Sequence, residues 1–394
     1  DASGTVPLSY QPDYIDPRFH EAATGRPCYN LDPWAMGPEQ IRSLLADLGR
    51  DADLVIIEGV MGLFDGPGGA AGSTADLAQM LDLPVVLTVD CRHQAQSVAA
   101  LVHGFAGFRP GLHLEGVILN RVASPRHEAL LREAVGERAV ASLANDQSLT
   151  WPSRHLGLVQ AQENPELEAF IEAAAARVGD AALLDRLTGL SRPVSEAPAR
   201  TALPPLGQST AVARDEAFSF VYPHLLDGWR KQGAEISFFS PLADEAPDMQ
   251  ADAVFLPGGY PELHAGRLAA NANFLSALRA HPGLVYGECG GFMVLGESLT
   301  DAEGTRHAMA GLLPLATSFE QRKLHLGYRR LAPKGGPWKG PLHAHEFHYS
   351  TLLSQGAADP LFAATDATGA ELPPMGLRWG KVMGSYAHVI CEAT

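Results

Sequence analysis

An α/β fold in two parts is the architecture this sequence predicts, and three observations predict it. Through the first half, short apolar runs ending in an acid or amide alternate with helix-like segments. Near the middle, a proline-rich stretch without period interrupts the chain. Beyond it a second series of apolar runs begins, and two of these end in glycine clusters. Apolar strands separated by helices imply parallel sheets covered on both faces.

In the first half, residues 52–59 read as a strand buried on both faces, residues 84–90 as another and residues 116–120 as a third. Helices are expected around residues 73–81 and 95–105. Ligands of such folds gather at the C-terminal ends of strands, where Glu58, Asp90 and Asn120 fall. A carboxylate there is costly unless it meets a cation or a proton. Glu58, followed by Gly59 and the loop Gly62-Leu63-Phe64-Asp65-Gly66, is the first candidate ligand for Mg2+, which prefers hard oxygens and bridges phosphates. The plainer alternative is a turn or helix-capping carboxylate.

Residues 191–208, rich in proline and small side chains, read as a linker between residues 1–190 and 209–394. In the second half, Gly287-Glu288-Cys289-Gly290-Gly291 follows the apolar run of residues 283–286. A cysteine flanked by glycines at a strand end suits a sharp turn that presents the sulfur beside backbone amides. A thiolate is a strong nucleophile, so acyl transfer is the chemistry expected there. A second strand, residues 255–256, ends in Pro257-Gly258-Gly259-Tyr260 and suits an oxyanion loop. His388, in Gly384-Ser385-Tyr386-Ala387-His388, is the candidate base.

The bulk numbers narrow the partners. A chain of 394 residues, 46% hydrophobic and 19% charged, has core enough for two domains. A net charge of −16 argues against nucleic acid and anionic membrane as partners. Four dispersed cysteines form neither a zinc pattern nor a disulfide framework, and with no signal peptide or bilayer-length apolar run the expected home is the cytoplasm. The cluster His343, His345 and His348 fails the helical metalloprotease pattern, because its last two histidines are three apart.

Together these segments resemble the cobyrinic acid a,c-diamide synthase family. The resemblance rests on Val212-Ala213-Arg214-Asp215, Phe239-Ser240-Pro241-Leu242, Pro257 to His264, the cysteine motif, and His345-Glu346-Phe347-His348-Tyr349-Ser350. It extends to Pro12-Asp13-Tyr14-Ile15-Asp16-Pro17, Ala23-Thr24-Gly25-Arg26 and Ser153-Arg154-His155-Leu156. It implies a P-loop NTPase-like doubly wound domain followed by a class I glutamine amidotransferase-like domain. It implies ATP, Mg2+, glutamine and a corrinoid polycarboxylate as ligands, and a homodimer is among the assemblies it allows.

In that reading Cys289 attacks glutamine, His388 is its base, and Gly258, Gly259, Tyr260 and Gly290 form the oxyanion and glutamine site. Asn120 resembles the adenine-reading asparagine, and Asp13 joins Glu58 as a metal ligand. Asp13, Tyr14, Asp16, Arg26, Arg154 and His155 match segments near the tetrapyrrole carboxylates, with Arg18 and His20 as further cations.

The chain departs from the family in several places. It has no Gly-Lys-Thr or Gly-Lys-Ser phosphate loop, although Ala2-Ser3-Gly4-Thr5 has the composition of a stub of one. Gln11 and Ala344 stand where the family has glycine, and Val389-Ile390-Cys391 follows His388 in place of a second histidine and phenylalanine. The expected reaction is amidation of the a and c carboxylates of cobyrinic or hydrogenobyrinic acid. The rivals are another tetrapyrrole such as nickel sirohydrochlorin, a cobyric acid synthase, and a degenerate tetrapyrrole-binding protein with an inactive ATP site.

Overall fold

Ten strands of the second half form one sheet, whose first five members are parallel and whose remainder is antiparallel. This is a computed structural model that describes residues 4–10, 13–68, 71–154, 157–179, 181–199 and 202–393. Its elements follow in chain order.

The first half opens with β1 (Thr5–Tyr10), α1 (Asp16–Thr24), β2 (Tyr29–Leu31), α2 (Pro38–Gly49), β3 (Leu54–Glu58) and α3 (Thr74–Met80). Then come β4 (Val85–Asp90), α4 (Val98–Gly107), β5 (Leu114–Val122), α5 (Pro125–Val135) and β6 (Ala139–Ala144). Thr5 therefore opens a strand; Ala2 and Ser3, from the suggested loop stub, lie outside the described residues. Local chemistry sets the boundaries. Pro17 and left-handed Gly25 bracket α1, and a Ser73–Asp76 capping box starts α3.

The strands make two parallel sheets, ordered β2-β1-β3 and β4-β5-β6, where the sequence suggested one doubly wound sheet. This corrects the reading of residues 52–59 as buried on both faces. In the described structure β3 ends its sheet, and Ile56 is 53% exposed.

The second half holds β9 (Ser209–Ala213), α8 (Pro223–Lys231), β10 (Glu235–Phe239), β11 (Ala253–Leu256), α9 (Ala265–Ala270), α10 (Ala272–Ala280), β12 (Leu284–Glu288) and α11 (Gly290–Leu295), numbered on from the small elements β7 (Ser153–Arg154), β8 (Gly157–Leu158), α6 (Leu167–Val178) and α7 (Ala181–Gly189). The rest is strand: β13 (Ser298–Thr300), β14 (Arg306–Ala308), β15 (Leu315–Ser318), β16 (His325–Pro333), β17 (Leu342–His348), β18 (Thr351–Gln355), β19 (Asp359–Asp366), β20 (Glu371–Trp379), β21 (Val382–Ser385) and β22 (Ala387–Glu392). The large sheet runs β10-β9-β11-β12-β21-β20-β19-β16-β17-β22. Although β22 is its last strand, its His388 side chain and Val389 amide meet Glu288 at the end of β12, because β22 follows at once on β21, the neighbour of β12.

Packing ties the start of the chain to its second half. One apolar core joins Leu8, Tyr14, Leu31 and Trp34 to Tyr222, Trp229, Tyr286, Tyr328 and Val389. Polar bonds cross the same boundary. Tyr29 donates to Asp227, the Tyr328 hydroxyl to Asp32 at 2.8 Å, and Lys231 pairs with Asp47 at 2.7 Å. Strands β4 to β6 instead have a core of their own around Val89, Val117, Leu119 and Leu131.

Candidate active site

Cys289 stands between β12 and α11 with φ 46° and ψ −105°, a conformation that side-chain-bearing residues rarely adopt. The strain is held on both sides. The Cys289 amide donates to the Ser385 carbonyl at 2.8 Å, and its carbonyl accepts from Met293 at 3.1 Å. The thiol lies 3.7 Å from the Phe347 carbonyl on β17. Burial pushes the thiol well above its ordinary range, and Glu262 adds to the shift while the Gly290 amide opposes it. At rest, therefore, the sulfur is a protonated thiol.

His388 reaches this point from β22. A methyl group added to Gly258 would stand 2.3 Å from His388 Cε1, 3.1 Å from Nε2 and 3.2 Å from the Cys289 Cβ. Gly258 thus marks where base and nucleophile converge. A methyl group on Gly290 would stand 3.1 Å from the Gly259 nitrogen, so these two backbones are adjacent beside the sulfur. Tyr260, fully buried, sets its ring edge-on to Phe220 at 5.1 Å. The structure therefore brings Cys289, His388, Gly258, Gly259, Tyr260 and Gly290 together.

Burial holds His388 neutral, lowering it to about 3, with His345 and His348 adding to the shift. Tyr14 covers its ring, with centroids 4.9 Å apart. Glu288 Oε2 lies 3.9 Å from His388 Nδ1, and burial pushes that carboxyl up to about 8. The motif contains Glu288, but sequence reasoning gave it no role. Its signal was an acid on a strand that is otherwise apolar.

Part of the histidine-rich segment is tied into polar bonds, although the buried Nδ1 of His345 has no hydrogen-bond partner among the described residues. Arg329 grips Glu346 with Nε at 2.8 Å and Nη2 at 2.7 Å. The other Glu346 oxygen lies 3.0 Å from His348 Nε2, and His348 Nδ1 lies 3.0 Å from the Ser350 hydroxyl. His325, Glu346 and His348 are close enough to hold a cation. The guanidinium already neutralises the carboxylate, and the rings of His325 and His348 stack 9° from parallel instead of converging on a point.

A second polar cluster forms where α1 meets the end of β3. Glu58 bonds His20 at 2.5 Å, and Asp13 Oδ1 accepts from the amides of Ile15 at 2.9 Å and Asp16 at 3.3 Å. Burial first, and then its acidic neighbours, raise Asp13 and push Asp16 up to about 7. Among the described residues only His325, Glu346 and His348 bring three ligand atoms together, so Asp13, Asp16 and Glu58 share a polar cluster without forming a preassembled cation site.

Other sequence candidates lie apart. Tyr14 turns away from this cluster into the second half, stacked on Phe220 at 4.9 Å. Arg18 and Arg26 line a cleft of about 1000 Å³ between the halves, together with Arg214, Arg230 and Arg267, which sequence reasoning did not single out. His20 thus separates from Arg18, because residues two apart on a helix face different directions, and Arg26 lies beyond the end of α1. Asn120 lies within β5, near its C-terminal end, with its side chain accepting from the Arg121 amide at 2.8 Å. Arg154 lies on β7, and His155 falls outside the described residues.

Comparison with known proteins places the chain. Residues 209–394 match the CobB/CobQ-like glutamine amidotransferase domain, and residues 33–153 match an AAA domain. The chain is 55% identical to the hydrogenobyrinate a,c-diamide synthase of Brucella abortus biovar 1 (strain 9-941), over 98% of this chain and 91% of that one. It belongs to the hydrogenobyrinate a,c-diamide synthase family. Two more synthases of the family, from Rhizobium meliloti (strain 1021) and Rhodobacter capsulatus, are 54% and 51% identical. They align with 96% and 98% of this chain and with 90% and 91% of their own lengths. The resemblance expected from the motifs thus holds along nearly the whole chain, and an AAA-type domain followed by an amidotransferase domain is its architecture.

Proposed function

We propose that this protein amidates the a and c carboxylates of hydrogenobyrinic acid, or of its cobalt form cobyrinic acid, with glutamine as nitrogen donor and ATP as energy source. The observation that carries the reading is the convergence of Cys289 and His388 at Gly258, in a chain so similar to named synthases.

In this reading His388 takes the thiol proton as the sulfur attacks the glutamine side-chain amide, then returns it to the departing ammonia. The amides of Gly259 and Gly290 hold the oxyanion; losing one such donor costs about 3 kcal/mol of barrier. The buried, neutral state of both groups at rest suits a glutaminase that fires only when substrate completes the site.

A carboxylate is a poor electrophile, so phosphoryl transfer from ATP must first give it a leaving group for ammonia to displace. Glu58 and Asp13 would hold the Mg2+ that neutralises phosphate charge, and Asn120 would read the adenine. Residues 1–190 form the synthetase part and residues 209–394 the glutaminase part, joined by residues 191–208. The cleft sets Arg18, Arg26, Arg214, Arg230 and Arg267 beside Glu21, Asp215, Glu216 and Asp227, so a polycarboxylate bound there would compete for arginines now paired as Arg18–Glu21 and Arg230–Asp227. Arg154 and His155 belong to the same substrate side. Among the described residues no helix is long and apolar enough to cross a membrane, and the four cysteines are free, in keeping with a place in the cytoplasm.

Mass spectrometry of the corrinoid after incubation with glutamine, MgATP and hydrogenobyrinic or cobyrinic acid tests the proposal. The expected product carries two amides in place of two acids. Unchanged corrinoid with glutamine hydrolysed to glutamate would contradict it and favour the degenerate reading.

A further inference from the structure

A base that takes and returns a proton needs its second nitrogen held, so that one tautomer faces the nucleophile. In this glutaminase neither nitrogen of His388 has a hydrogen-bond partner within ordinary bonding distance among the described residues. The ring's orientation is nevertheless set. Nε2 is on the Gly258 and Cys289 side, while Nδ1 faces Glu288 Oε2 at 3.9 Å.

Glu288 is well placed to hold it. It immediately precedes the nucleophile, and its side chain and that of His388 are 3% and 1% exposed. Its other oxygen accepts from the amide of Val389, the residue after His388, at 3.1 Å. Parallel pairing of Glu288 with Ser385 fixes the strand that leads into His388. The other groups facing the imidazole are the Tyr14 ring from the first half, His345 and His348 from β17, Cys289 itself, and Glu346. Glu346 is already committed to Arg329 and His348.

We propose that Glu288 is the positioning residue of the glutaminase, accepting a hydrogen bond from His388 Nδ1–H and stabilising the imidazolium formed during attack. The inference rests on the glutaminase reading above. As the S–H bond breaks, the proton moves to Nε2 and the sulfur electron pair forms the new bond to the amide carbon. The C–N bond then breaks, and its nitrogen leaves as ammonia carrying the Nε2 proton. Glu288 keeps its own state throughout; its contact with Nδ1 shortens when glutamine closes the site.

Only the ionised carboxyl performs this role. Burial pushes Glu288 up to about 8, so glutamine hydrolysis should rise with pH through that value. The test compares the full chain with its Glu288→Gln and Glu288→Asp variants, reading glutamate release, ammonia-dependent amidation and the rate of Cys289 alkylation by a chloroketone analogue of glutamine. The expected result for Glu288→Gln is a kcat for glutamine about 100-fold lower, with KM little changed and ammonia-dependent amidation intact. The rise near pH 8 should vanish from both hydrolysis and alkylation, and Glu288→Asp should recover part of each. Wild-type kcat and an unchanged pH profile in Glu288→Gln would overturn the proposal. Should Glu288→Gln not fold, Glu288→Asp decides alone: a rate and pH profile equal to wild type, despite a carboxylate drawn back from Nδ1 by one methylene, would also overturn it. A wild-type chain that hydrolyses no glutamine would instead refute the glutaminase reading beneath it.

Discussion

The phenol ring of Tyr14 lies against the imidazole of His388, with centroids 4.9 Å apart and planes inclined by 36°. Its neighbours Asp13 and Asp16 belong to the carboxylate cluster with Glu58 and His20. The span Asp13-Tyr14-Ile15-Asp16 therefore touches both candidate sites. If this span couples them, Tyr14→Ala should raise the ratio of glutamate formed to amide formed while sparing amidation with added ammonia. Truncating so buried a ring should also cost about 3 kcal/mol of stability, and chemical denaturation would measure that. Tyr14→Phe keeps the ring and should keep the wild-type ratio.

Gly258 offers a sharper steric test. Because a Cβ there would stand 2.3 Å from His388 Cε1, Gly258→Ala must displace the base. Glutamine hydrolysis should fall by about 100-fold or more, as expected when a general base is lost. Amidation from ammonia should persist, since the displaced ring lies outside the synthetase chemistry. Parallel assays with the two nitrogen donors would show the split.

Stability should decline in mild acid. His388 and His345 are held to about 3 and His224 to about 4, each chiefly by burial, against an ordinary value of 6.5. Below pH 6.5 the unfolded chain binds protons that the folded chain refuses, so stability drops as pH falls from 6.5 towards 4. Each such proton costs about 1.4 kcal/mol per pH unit. Glu288 acts with the opposite sign. Its raised value stabilises the fold below 4.5, a contribution lost as pH climbs to about 8. Melting temperatures across pH 5 to 8.5 should therefore drop steeply on the acid side, and Glu288→Gln should flatten the alkaline side.

The carboxylate cluster makes a metal prediction. Asp16 is pushed up to about 7, so a cation arriving there must displace a proton. Mg2+ affinity, read by calorimetry, should tighten as pH rises through 7 and weaken markedly in Glu58→Gln. Equal affinity in the variant would place the ion elsewhere.

Much of this site was legible in the chain because its signals are local. Glycines on both sides of Cys289 announced the turn, and the alternation of strands and helices announced parallel sheets. What stayed hidden depends on contacts distant in sequence. Nothing near Glu288 says that His388 returns to it, because that meeting depends on β21, distant in sequence, pairing alongside β12. The Pro12 to Pro17 segment read as one substrate loop, yet Tyr14 is apolar on both faces and the core draws it across the boundary, away from Asp13 and Asp16. Residues 52–59 read as a central strand from composition alone. Composition does not report which neighbours a strand has, and among the described residues β3 pairs with β1 alone.

The central claim is that Cys289 supplies ammonia to a separate amidation site. Its most direct measurement is corrinoid amidation by Cys289→Ala with MgATP, once with glutamine and once with ammonium salt at alkaline pH. No amide from glutamine and near wild-type amide from ammonia are expected. Loss of both activities in a folded variant, or amide formed from glutamine without the thiol, would contradict it.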